Sequence, residues 1–121
     1  MTDRKQTVLI VDDEPDMLRS LGRILKAHGL TVEFAESGEE AVDRAKELNP
    51  DAIVMDIRMP GISGLEAYVK IKNFQSDVYV ILMTGFSELM EEARRTEGIE
   101  VMVKPVDPNE VCQLIAASSA S

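Results

Sequence analysis

Short apolar runs punctuate the chain, and each is followed by a segment whose apolar residues recur at helical spacing. Thr7-Val8-Leu9-Ile10-Val11, Ala52-Ile53-Val54-Met55-Asp56, Val78-Tyr79-Val80-Ile81-Leu82-Met83 and Val101-Met102-Val103 are unbroken and rich in branched residues. That is how strands buried on both faces of a parallel sheet read. Thr31-Val32-Glu33-Phe34-Ala35 alternates instead and belongs nearer a sheet edge. After Pro15, suited to a first helical position, Leu18, Leu21 and Leu25 form a stripe that Met17 and Ile24 widen. His28-Gly29 ends that helix with a glycine cap. Ser37-Gly38-Glu39-Glu40 and Ser63-Gly64-Leu65-Glu66 both read as capping boxes, serine first and glutamate three later. Ala41, Val42, Ala45 and Leu48 mark the face of the helix that Asn49-Pro50 stops, and Ala67, Tyr68 and Ile71 continue the next. A short charged helix is predicted from a cap at Ser87 to about Thr96, with Gly98 breaking it. Asp107-Pro108-Asn109-Glu110 opens the last helix, whose buried stripe is Val111, Leu114 and Ile115.

Five strands alternating with five helices predict an α/β domain, a parallel five-stranded sheet covered on both faces. Right-handed crossovers leave 2-1-3-4-5 as the best-fitting order among common doubly wound folds. The first and third strands then lie side by side at the switch point, where such sheets bind ligands. One domain over residues 7–116 is expected, with 1–6 and 117–121 as flexible termini.

Composition narrows the setting. A chain of 121 residues suits one domain. A lone Cys112 makes no internal disulfide, and no apolar stretch resembles a signal peptide or a membrane span, which together predict a cytoplasmic protein. Thirteen basic against twenty-two acidic residues give a net charge of −9, which opposes nucleic-acid phosphates. The sequence shows no Lys/Arg cluster and no aromatic platform, so no direct nucleic-acid binding is expected.

The candidate chemistry lies at the strand ends. Asp12 and Asp13 follow the first strand, Asp56 ends the third, Thr84 follows the fourth and Lys104 the fifth. All five belong on one rim, on strands about 4.8 Å apart. Carboxylates packed together either raise a pKa or recruit a cation. Lys104 offsets one charge, and an oxygen-only donor set suits Mg²⁺. A cation beside a free carboxylate oxygen is what phosphoryl transfer to that oxygen requires, with Lys104 and the Thr84 hydroxyl placed to hold phosphoryl oxygens.

Asp12-Asp13, Asp56 with Met59-Pro60-Gly61, Met83-Thr84-Gly85 and Lys104-Pro105 together resemble the receiver domains of two-component response regulators. The resemblance implies a flavodoxin-like (βα)5 fold and a signalling switch rather than an enzyme with an external substrate. By the resemblance, Asp56 is the residue that takes a phosphoryl group from a histidine kinase and slowly loses it again. Asp13, Asp56 and the main-chain carbonyl of Arg58 are the Mg²⁺ ligands, with Asp12 acting largely through water. Thr84 and Lys104 grip the phosphoryl group, and the Lys104-Pro105 bond is a candidate for cis. The resemblance also implies an output domain in a longer chain or a separate target, and is compatible with a phosphorylation-dependent homodimer. Met90, Val101, Met102 and Val106 are then candidates for the partner surface. Val101 departs from the pattern, since an aromatic often stands there, and Arg58 is expected to alter the lifetime of the acyl phosphate.

Three other readings compete. A phosphatase built on Asp56 would need a second acid two residues on, where Arg58 stands. A flavin or nucleotide domain would need a glycine-rich loop where Asp12-Asp13-Glu14-Pro15 stands. A binding module independent of phosphorylation would not need all five rim residues.

Overall fold

The computed structural model describes residues 5–85 and 88–119. Ten elements alternate: β1 (Thr7–Val11), α1 (Pro15–Ala27), β2 (Thr31–Ala35), α2 (Gly38–Leu48), β3 (Ala52–Asp56), α3 (Gly64–Phe74), β4 (Tyr79–Thr84), α4 (Glu88–Arg94), β5 (Ile99–Val103) and α5 (Pro108–Ser119). All strand pairs are parallel, in the order β2-β1-β3-β4-β5. The alternating strand is indeed at an edge, and β3 is buried along its whole length at the centre.

Alternate residues of each strand feed two cores. Leu9, Val11, Ile53, Met55, Val80 and Leu82 pack against α2 and α3 through Ala41, Ala45, Leu65, Tyr68 and Ile71. Val8, Ile10, Val54, Ile81 and Met83 pack against α1 and α5 through Leu18, Leu21, Leu25, Val111 and Ile115. This two-sided burial, of order 2 kcal/mol for each large side chain, holds the central strands rigid. Each strand therefore delivers its last residue to a fixed place on the rim.

Several local details differ from the sequence reading. β5 begins at Ile99, two residues early, because Ile99 and Glu100 complete the ladder with Val80 and Ile81 although Glu100 is exposed. β4 starts at Tyr79 rather than Val78. The Ser63 capping box is complete, whereas the Glu40 carboxylate accepts the Glu36 N–H, one residue before the serine. Asn49, in a left-handed conformation at φ 49°, closes α2 before Pro50 does. α5 runs on to Ser119, so residues 117–119 are helical. Ser87, the expected cap of α4, and the side chain of Met90 lie outside the described residues. Met102 is buried in the α1–α5 core, which removes it from any partner surface.

One absence predicted from the sequence is corrected. Arg19, Arg23 and Lys26, spaced along one flank of α1, line a groove of about 310 Å³ together with Phe34, and Lys26 Nζ stands 5.7 Å from the centre of its ring. Helical spacing makes neighbours of cations that look dispersed in the sequence. Among the described residues no helix is long and apolar enough to cross a membrane.

Candidate functional site

β1 and β3 are neighbours, with Val11 opposite Met55, so the acids that follow them emerge side by side. Asp12 is fully buried and Asp56 is 6% exposed, while Asp13 faces solvent. One oxygen from each of the three lies within 4.8 Å of the others. The predicted carboxylate cluster is therefore present.

Each buried carboxylate has one oxygen on the main chain and the other on Lys104. Asp12 Oδ1 accepts the Glu14 N–H at 3.0 Å, and Asp56 Oδ1 accepts the Arg58 N–H at 3.2 Å. Lys104 Nζ donates to Asp56 Oδ2 at 2.9 Å and approaches Asp12 Oδ2 at 3.4 Å. Burial pushes the Asp12 carboxyl above its ordinary value, outweighing the Glu14 N–H and Lys104, which pull it down. For Lys104 burial acts downward, but its contacts with Asp56 and Asp12 prevail and raise it. The ammonium is thus charged at neutral pH.

Thr84 lies on the same rim, 1% exposed, with Lys104 N–H on its carbonyl at 2.7 Å. Its hydroxyl donates to the Gly85 carbonyl at 2.6 Å. To reach a group bound at Asp56 it must give up that bond. The Lys104-Pro105 peptide is cis, as the sequence suggested. The Arg58 side chain is exposed, and its N–H, not its guanidinium, touches Asp56. Val101 is half-buried against the α2–α3 core.

Sequence reasoning missed three contributors. The Glu14 and Arg58 amides orient the carboxylates, and main-chain donors carry no residue signature. Gly64 is the third: a Cβ there would stand 2.4 Å from the Asp56 carbonyl oxygen. That close approach lets Gly64 N–H bond the Ile57 carbonyl at 2.7 Å and seats α3 directly against the strand end.

A hard divalent cation fits this donor set. The three carboxylates cluster within bridging distance at the mouth of a buried rim, and oxygen-only ligation by one or two carboxylates is what Mg²⁺ accepts.

Residues 8–116 match the response regulator receiver domain family. Among curated relatives, regulatory protein AtoC of Escherichia coli (strain K12) is 33% identical over 86% of this chain and 23% of its own length. The acid tolerance regulatory protein ActR of Rhizobium meliloti (strain 1021) is 32% identical over 88% of this chain and 56% of its own length. The chain therefore spans about a quarter to just over half of these relatives. Among solved structures, a response regulator receiver domain protein from Clostridium thermocellum superposes with a TM-score of 0.86 at 28% identity, covering 93% of each chain. Chemotaxis response regulator CheY4 of Vibrio cholerae gives 0.81 at 27% identity, covering 95% of this chain and 99% of its own.

Proposed function

Because this chain belongs to the response regulator receiver domain family, we propose that it is a phosphorylation switch whose acceptor is Asp56. The supporting observation is the Asp12–Lys104–Asp56 arrangement, a carboxylate held from behind by a main-chain N–H and from the side by an ammonium group that can be redirected. The receiver domain spans 7–116, flanked by 1–6 and 117–121.

In this reading an Asp56 oxygen attacks the phosphorus of a phosphohistidine on a sensor kinase. The P–N bond breaks, its electron pair stays on the imidazole, and an acyl phosphate forms. Asp13, Asp56 and the Arg58 carbonyl would hold Mg²⁺, with Asp12 behind them. When bound, the ion offsets negative charge that gathers on the phosphoryl oxygens. Lys104 turns from Asp56 Oδ2 to a phosphoryl oxygen, and the Thr84 hydroxyl leaves the Gly85 carbonyl for another. That exchange carries the signal toward β5 and the helices beside it, because the Thr84 carbonyl is bonded to the Lys104 N–H. Slow hydrolysis of the acyl phosphate resets Asp56. No external substrate is turned over. The working setting is the cytoplasm, with a histidine kinase or phosphotransfer protein upstream and an output domain or separate target downstream.

Incubation with Mg²⁺ and acetyl phosphate tests this by intact-mass analysis. One labile phosphoryl addition is expected, absent in Asp56→Asn. A native chain that stays unmodified with acetyl phosphate and with other small phosphodonors would refute the reading.

A further inference from the structure

Residues 57–63, between the acceptor and α3, carry the Arg58 amide that bonds Asp56 and the Arg58 carbonyl proposed as a cation ligand. This loop is gripped from outside by the first turn of α2. Glu39 Oε2 accepts the Ile62 N–H at 3.2 Å. The carboxylate reaches it over Gly61, which has φ +82°; a Cβ there would meet Glu39 Oε2 at 2.6 Å and Oε1 at 2.8 Å. Gly38 closes the grip: a Cβ on it would lie 2.6 Å from Ile62 Cγ1 and 2.9 Å from the Ile62 carbonyl oxygen. Two side-chain-free positions and one acceptor thus hold Ile62 against α2. An acidic residue in the first turn of a helix is ordinarily explained by the macrodipole. Glu40 next to it illustrates that simpler use, since its carboxylate turns back to the Glu36 N–H within its own helix start.

We infer that Glu39 is a positioning residue for the phosphorylation site, fixing through Ile62 the loop that presents the Arg58 amide and carbonyl. This rests on the receiver reading and deepens it: α2, which supplies no rim residue, sets how well the rim is formed. The hydrogen bond, not the charge, does the positioning. Gln keeps the acceptor and loses the charge, whereas Ala loses both.

Mg²⁺ binding to the unphosphorylated protein, followed by calorimetry and by ¹⁵N amide shifts, separates these roles. Glu39→Ala is expected to weaken Mg²⁺ binding about three- to ten-fold and to move the Ile62 and Arg58 amide signals. Glu39→Gln should stay within about two-fold of native, and Glu40→Ala should lower the melting temperature with Mg²⁺ affinity unchanged. Native-like affinity in Glu39→Ala overturns the inference, and so does a Glu39→Gln as weak as Glu39→Ala. If the native protein binds no Mg²⁺, the receiver reading fails at its cation. The Arg58 amide then still decides the latch: moved by Ala and restored by Gln supports it, and unmoved overturns it.

Discussion

The two poles of the sheet spend their buried polar groups differently. At the amino pole, Asp51 Oδ2 accepts the Thr7 N–H at 2.8 Å, and Gln75 Nε2 donates to the Pro50 carbonyl at 2.6 Å. Asp51, Pro50 and Gln75 line a polar cavity of about 250 Å³ with Asn49, Asp77 and Val78. At the carboxyl pole, Asp12 and Asp56 each reserve one oxygen for a main-chain N–H and offer the other to Lys104. A main-chain partner is fixed by the backbone that carries it, but an ammonium on a four-carbon stem can swing away. One pole is built to hold and the other to exchange.

The largest expected effect is at the exchanging pole. Lys104→Met leaves two buried carboxylates without their shared cation, and should lower stability by about 3 kcal/mol in Mg²⁺-free buffer at neutral pH. Urea titration measures this, and added Mg²⁺ should recover part of it. Because the Lys104 pKa is raised, its contribution is whole below the ordinary 10.5 and is lost as pH climbs through the higher native value. The deficit of the variant should therefore stay level through neutral pH and close only in strong alkali. At the holding pole, Asp51→Ala removes the acceptor of the Thr7 N–H and should cost about 2 kcal/mol, with acetyl phosphate labelling of Asp56 unchanged. Slower labelling in that variant would break the division between the poles.

Asp12→Asn should move the other way, gaining about 1 kcal/mol while weakening Mg²⁺ binding, since functional burial of charge is held against stability. Asp12 titrates above 3.8 in the native state, so over that window the folded protein binds more protons than the unfolded chain, and its stability falls as pH rises. The advantage of Asn should accordingly be full at neutral pH and vanish on acidification below 3.8. The smallest effect is at Gln75, whose buried Oε1 has no hydrogen-bond partner among the described residues. Gln75→Met relieves that oxygen but orphans the Pro50 carbonyl, and chemical denaturation should find the two offsetting to within about 0.5 kcal/mol.

Strand identity was legible because burial on both faces writes itself as unbroken apolar runs, and β3 is the clearest case. The rim was legible because parallel strands all end on one side, so Asp12, Asp56, Thr84 and Lys104 needed only the strand order to be gathered. What stayed hidden depends on distances across the fold. Glu39 looks like any first-turn acid until Ile62 is set beside it. The basic flank of α1 appears only once Phe34 is beneath it. The early start of β5 at Ile99 comes from pairing with Val80, against the local preference of an exposed Glu100.

The missing side chain at position 64 has a consequence for how this protein tolerates change. Every other amino acid would drive an atom into the carbonyl of Asp56 itself. A position with no charge and no chemistry of its own is therefore closed to substitution. A mutational survey scored on acidic and basic residues alone would pass over it.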